Sequence, residues 1–401
     1  MLDREFRVGL TQGLSKNVPE LKAWLTGQMP RFVGGIADWP DAAAPVFVFH
    51  EVTPDRLEAQ LRHVTRNGYE TLDTQGIEAA LGGRGQQRRS IVLSFDDATS
   101  TFWTYAFPLL RKYRCRAILF AIPGLVPDDP TCYPNLEDLW AGRSWQDELT
   151  RRARVQPLCT WRELTIMHQS GIVDIQSHSL THSRIPISPR IVDFLHPGYD
   201  TYFYGNVDVP VSSEDDPERP ARKLRLGAPV FAFASRLSGR PRFKENPDMV
   251  RAVVGHVEQH GGPAFFQQRG WRAALKAQYR RWPAEALGSF ESADEMAAAI
   301  HCEMVQPKRM LEERLPGKQI RHFCYPWFEG CDLADRLAAE AGYRGLFCGL
   351  DTRNRALPAP LGTARVHRIG EDYLFRLPGD GRCSIASIWR HRVKRFAGRH
   401  A

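Results

Sequence analysis

Ser90-Ile-Val-Leu-Ser-Phe-Asp-Asp-Ala98 is the stretch around which the chain is organised. Ile91, Val92 and Leu93 form a short apolar run with two β-branched residues, which suits a buried strand. That strand ends in two adjacent carboxylates, Asp96 and Asp97. Neighbouring acids repel each other and favour water, so a buried strand does not ordinarily end this way. A cation would resolve the conflict by binding one carboxylate and leaving the other as a base beside an activated water. The ordinary alternative is a solvated strand end, with one Asp capping a helix that starts near Thr99.

On either side of this stretch the chain alternates between strand and helix. Val46-Phe-Val-Phe-His50 reads as a strand ending in a histidine, and Leu57, Leu61 and Val64 recur at helical spacing over 54–67, closed by Gly68. A helix over 101–113, the strand Ala117-Ile-Leu-Phe-Ala-Ile122, a helix over 160–169 and the strand run Val173-Asp-Ile-Gln-Ser-His178 follow. After a long amphipathic helix at 293–315 come a strand at 320–325, a helix at 333–341, a strand at 344–348 and a last strand, Val366-His-Arg-Ile369. This order predicts a parallel sheet wrapped by helices. Residues 183–290 break the rhythm, with many prolines and glycines, the acidic run Glu214-Asp-Asp216 and a basic aromatic stretch. They are too long for a structureless loop and are expected to form an inserted subdomain or cap.

Composition bounds the function classes. The 401 residues are 43% hydrophobic and 25% charged, normal for a globular protein, with a net charge of +8 that permits an anionic partner without specifying one. No stretch approaches the roughly 18 apolar residues of a membrane span, and Met1-Leu-Asp-Arg-Glu lacks the apolar run of a secretory signal. These features lead us to expect a soluble, cytoplasmic protein. The eight cysteines are scattered without a C-x-x-C pair, which argues for reduced thiols; Cys115 and Cys348 read as small core residues. A pI near 9.1 and the basic aromatic segment at 267–282 are the only hints of nucleic acid, no nucleic-acid motif accompanies them, and no such partner is expected.

A second strand end, Ser177-His-Ser-Leu-Thr-His182, carries two histidines four apart. Two imidazoles and a carboxylate are a common zinc donor set that leaves a position open for water. Spacing alone proves little: His256 and His260 share it, have no strand-end carboxylate, and read as surface residues. The Asp pair and the His pair, however, both fall at the C-terminal ends of successive strands, where α/β proteins place their sites.

In this combination the chain resembles the polysaccharide deacetylases, the NodB-homology group or carbohydrate esterase family 4. Their T-F-D-D-G motif corresponds to Ser94-Phe-Asp-Asp-Ala98 and their H-S/T-x-x-H motif to His178-Ser-Leu-Thr-His182. The resemblance covers about 46–126, 160–182 and 318–375. It implies a distorted (β/α)7-type barrel at 45–182 and 291–378, with 1–44 as an N-terminal extension, 183–290 inserted after the His-x-x-x-His motif, and 379–401 as a basic amphipathic helix. It also implies a hydrolase that removes N-acetyl groups from a carbohydrate. Asp97, His178 and His182 would hold a divalent metal, with zinc the first expectation, and Asp96 would be the general base. His367 would be the general acid, with a strand residue holding a satisfied hydrogen bond as the alternative. In Cys324-Tyr-Pro-Trp327 the Trp327 N–H would face the oxyanion, and Tyr325 and Trp327 would stack on a sugar ring, with core packing as the alternative.

Two positions depart from the pattern. Cys324 stands where the family's R-x-P motif has an arginine that pairs with the catalytic aspartate, and Ala98 replaces glycine. The D-x-x-D-W stretch has no clear match, and Asp351 merely lies in a suitable region. The missing arginine makes a catalytically silent carbohydrate-binding barrel the alternative to an enzyme. The partner expected from the resemblance is an N-acetylated glycan, nucleotide sugar or lipid-linked sugar. In 384–399, Ile385, Ile388, Trp389, Val393 and Phe396 recur at helical spacing among arginines and Lys394. Two readings follow: a helix lying on an anionic inner membrane face, or a last barrel helix burying its apolar stripe against 1–44.

Overall fold

The computed structural model describes residues 20, 22–27, 29–35, 44–81, 89–155, 157–199, 211–212, 223–350 and 363–398. The chain divides into two compact units, one comprising 1–180, 304–328 and 338–401, the other 181–303 and 329–337.

The first unit is built on parallel strands: β1 (Val46–Phe49), β2 (Glu70–Thr71), β3 (Ser90–Phe95), β4 (Ala117–Ala121) and β5 (Val173–Ser177). After the second unit's strands, which take β6 to β9, come β10 (His322–Cys324), β11 (Gly345–Cys348) and β12 (Ala364–Gly370). Pairing runs β1-β12-β11-β10-β5-β4-β3 and closes because β3 also pairs with β1 (Val46 with Val92, Phe49 with Phe95); β2 adds to β3 outside the ring. The result is a closed seven-stranded parallel barrel, the distorted (β/α)7 architecture expected.

Barrel strands are apolar on both faces because one face fills the lumen and the other lies under helices. Alternation along each strand sorts the residues. Val46, Val92, Ile118, Phe120, Cys324, Phe347 and Val366 form one buried cluster. On the opposite face of β1 and β3, Phe49 stacks on Phe95 at 4.6 Å and Phe95 meets Phe102 edge-on at 4.8 Å. Helix α1 (Pro54–Arg66) buries Leu57, Leu61 and Val64, the stripe read from the sequence. The helix after Asp97 starts not as an α-helix but as a π-turn over Phe102–Ala106, continuing as α2 (Phe107–Tyr113). Helix α3 (Trp161–Gln169) is started by a capping box: Thr160 Oγ1 accepts from Glu163 N, and Glu163 Oε2 accepts from Thr160 N. Cys115 and Cys348 are buried, as expected of small core residues.

The second unit pairs β6 (Arg184–Phe194) antiparallel with β7 (Pro229–Ser235), and β8 (Phe243–Glu245) with β9 (Gly288–Phe290). Gly288 is required at φ +154°, since a Cβ there would lie 2.2 Å from the Lys244 carbonyl oxygen. Phe194, Phe231, Phe243, Met249, Val253 and Leu275 form its core, and Arg236 makes a buried two-pronged ion pair with Glu291, 2.7 Å on each prong. His256 and His260 lie at the end of helix α4 (Pro247–Gln259), rings 4.0 Å apart, with His260 exposed.

The C-terminal helix, α5 (Ile385–Gly398), packs within the first unit. Ile388 is buried, and Arg392 bonds Asp372 Oδ2 at 2.7 Å, pairs with Glu20, and lies 4.8 Å from the centre of the Tyr373 ring. These contacts engage Ile388 of the apolar stripe and one of the arginines that the membrane-surface reading left for lipid, while Val393 stays 64% exposed; on balance they favour the packing reading. Among the described residues no helix is long and apolar enough to cross a membrane. Arg392→Ala leaves Asp372 and Glu20 without this partner, and we expect a loss of about 3 kcal/mol in unfolding free energy by denaturant titration. An unchanged midpoint would mean that the helix does not anchor the unit through this arginine.

Candidate active site

Asp96 and Asp97 follow β3 directly, and the Asp96 N–H donates to the Phe49 carbonyl at 2.9 Å, which places His50 beside the pair. His178 follows β5, its N–H held by the Ala121 carbonyl at 2.8 Å. The turn after it needs glycine at 124, whose N–H donates to the Leu180 carbonyl at 3.0 Å and whose Cβ, if present, would lie 2.4 Å from that oxygen. Beyond the turn, the Thr181 N–H is held by the buried Glu303 carboxylate at 3.0 Å, next to His182. Asp97 (φ 70°), Ala98 (φ 50°), Ser179 (φ 66°) and His182 (φ 55°) all take left-handed backbone conformations. Such strain costs roughly 1–2 kcal/mol per residue and collects at functional sites. It also accounts for glycine at the position of Ala98 in the family's motif: only glycine would adopt that backbone freely.

The ligand atoms of Asp97, His178 and His182 lie within 4.8 Å of one another, as do those of Asp96, His178 and Cys324. His178 is buried, and its Nδ1 lies 2.9 Å from the Cys324 carbonyl oxygen. A carbonyl only accepts, so Nδ1 carries the proton and Nε2 presents a lone pair. That lone pair faces Asp97 Oδ1 at 3.4 Å and Asp96 Oδ2 at 3.9 Å. A lone pair against two carboxylates is repulsive unless a proton or a metal cation lies between them. Proton affinity reports the same field: burial opposes the imidazolium, but Cys324, Asp96 and the hydrogen bond with Asp97 raise the His178 pKa well above its ordinary value. The donor set of Asp97, His178 and His182 therefore fits a divalent cation, with a backbone-held His178 tautomer of the kind metal sites use.

Asp96 is paired differently. Arg368 Nη1 donates to Asp96 Oδ1 at 2.6 Å, with both side chains almost wholly excluded from solvent. Burial alone would raise the Asp96 pKa, but Arg368, His178 and His50 together hold it below its ordinary value, so it is a carboxylate at neutral pH. The guanidinium that the sequence reading missed at position 324 thus enters from β12. Cys324 is buried with Sγ 3.7 and 3.8 Å from the two Asp96 oxygens, and burial pushes its thiol pKa up.

Two residues have placements that match the alternatives given for them. His367 lies on β12 next to Arg368, and strand alternation turns neighbours to opposite faces. Arg368 and Val366 occupy the lumen, whereas His367 is exposed on the outer side with Nδ1 3.1 Å from the Gly349 carbonyl oxygen. The general-acid role expected of it has no support in this placement. Tyr325 is 3% exposed and meets Phe323 edge-on at 5.3 Å, so it packs in the core and offers no face to a sugar. Trp327 is half-buried with φ 59°, next to Phe328 at φ 58°. Asp351 lies outside the described residues.

Residues 83–193, which contain both the Asp-Asp and the His-x-x-x-His segments, match the family model described as polysaccharide deacetylase. This segment is similar to the polysaccharide deacetylases. Over 132 residues, 33% of the chain, the sequence is 29% identical to the poly-β-1,6-N-acetyl-D-glucosamine N-deacetylase of Escherichia coli strain K12. The chain covers 18% of that protein, about a fifth of its length. Similar solved structures include a de-N-acetylase from Aggregatibacter actinomycetemcomitans, with TM-score 0.48 and 16% identity over 88% of this chain and 99% of that one. IcaB from Ammonifex degensii has TM-score 0.44 and 14% identity, covering 86% of this chain and all of the other.

If the deacetylase segment holds its cation as the donor set suggests, His182→Ala should lose it. We expect wild type to carry about one zinc per chain after dialysis, and His182→Ala well under a fifth of that with unchanged circular dichroism. Stoichiometric zinc in the variant would remove His182 from the ligand set.

Proposed function

We propose that this protein hydrolyses N-acetyl groups on a carbohydrate, releasing acetate and a free amine. The observation that carries the reading is the division of labour between two adjacent carboxylates: Asp97 faces the two histidines, while Asp96 is tied to Arg368. Asp97, His178 and His182 would hold the divalent ion, zinc being our first expectation, and the ion would supply Lewis acidity toward the amide carbonyl and the attacking water.

The protein's own residues do the rest. Asp96, ionised and held through Oδ1, presents Oδ2 to accept the proton of the attacking water. Water oxygen bonds to the acetyl carbon, the C–N bond breaks, and the sugar nitrogen leaves with a proton. We assign return of that proton to Asp96 itself, assisted by His50, whose Nε2 is 3.8 Å from Asp96 Oδ2 and whose side chain is 53% exposed. The Trp327 N–H remains our candidate donor to the oxyanion, and its ring our candidate sugar platform. The relative in Escherichia coli makes oligomers of β-1,6-linked N-acetylglucosamine the first substrate to try.

Replacing Asp96 by Asn retains shape but removes the base. Acetate release from zinc-loaded Asp96→Asn should fall roughly 100-fold or more, with zinc content unchanged. Turnover near that of wild type would place the base elsewhere. If wild type itself releases no acetate from a panel of N-acetylated sugars yet binds them, the silent carbohydrate-binding barrel is the better description.

A further inference from the structure

Arg368 makes little sense as a stabilising residue. It is fully buried, one of its nitrogens bonds Asp96, and Nε and Nη2 have no hydrogen-bond partner among the described residues. Each orphaned buried donor is destabilising, and a buried ion pair is often no better than an apolar replacement. What the arrangement does supply is rigidity. The guanidinium carbon lies 5.6 Å from the centre of the Phe120 ring and 5.2 Å from that of Phe328, so aromatic rings limit its movement. Only Oδ1 of Asp96 is engaged by Arg368; Oδ2 stays turned toward His178 and His50.

Position 324 completes the geometry. Cys324 on β10 and Arg368 on β12 both touch the Asp96 carboxylate, from strands separated by β11. Both are wholly buried, so a long side chain at 324 would compete for the volume and the charge that Arg368 provides. We infer that Arg368 is the positioning residue of this site, aiming Asp96 through one oxygen, and that 324 and 368 are exchangeable entry points for a single guanidinium, with Cys324 small so that Arg368 can enter. The effect on rate rests on the deacetylase reading; the exchange itself does not.

Four variants test this: R368V, R368K, C324R and the double variant C324R/R368V, each measured for acetate release, bound zinc and melting temperature. R368V should lose roughly 100-fold in kcat, the scale of a misaimed catalytic group, with KM and zinc content near those of wild type. A residue of merely structural importance would not separate kcat from KM and zinc in this way. R368K keeps the charge but not the reach or the planar fork, and should stay at least tenfold below wild type. C324R alone crowds two buried cations and should melt lowest. The double variant should melt higher than C324R and recover at least tenfold in kcat over R368V.

The inference is overturned if R368V keeps kcat within threefold of wild type, if R368K is fully active, or if the double variant melts no higher than C324R. Wild type without acetate release on any substrate would defeat the deacetylase reading and the rate claim with it. The melting temperatures would then decide the exchange by themselves: recovery in the double variant supports it, and additive losses overturn it.

Discussion

The site depends on one constraint: two negative charges on consecutive residues, Asp96 and Asp97, at the end of a fully buried strand. Adjacent carboxylates repel each other, and the structure gives each a different partner. Asp96 receives a fixed guanidinium from Arg368 at 2.6 Å. Asp97 faces His178 Nε2 at 3.4 Å, in a donor set whose natural complement is a divalent ion. Because their partners differ, two chemically identical side chains are suited to different tasks, and the proposed mechanism rests on that difference. The strained backbone at Asp97, Ala98, Ser179 and His182 is the cost of aiming them, and the closed barrel with its capped and packed helices offsets it.

The parts of this site that were legible in the sequence are those encoded within a few residues. Asp-Asp after an apolar run and His-x-x-x-His after another are local patterns, and parallel topology brings both strand ends to one rim. Arg368 was not legible because its partner is 272 residues away, and attention fell on 324, where a guanidinium was missing. A signal was nonetheless present: an arginine in the middle of Val366-His-Arg-Ile369, on a strand otherwise suited to burial, has to be paired. The choice between the two readings of His367 was open for a related reason. The strand's period of two was evident, but not its phase, and the phase is set by Val366 packing in the lumen.

Other residues show the same division between pattern and partner. The apolar stripe of the C-terminal helix was visible, while its partners Glu20, Asp372 and Tyr373 lie in segments whose proximity only the fold reveals. Tyr325 sits in a motif that suggested contact with sugar, yet its neighbour in space is Phe323. Position in a motif indicates which backbone is near the site, and burial decides which side chains reach it.

The account's central claim is that the two aspartates have separate partners when the metal is bound. A crystal structure of the zinc-loaded protein, with anomalous data at the zinc edge, tests it most directly. We predict a single strong peak bonded to Asp97, His178 and His182, with Asp96 still hydrogen-bonded to Arg368 and not ligating. A peak bonded instead to Asp96 and the Cys324 thiolate, or one that draws Asp96 off Arg368, would contradict the account.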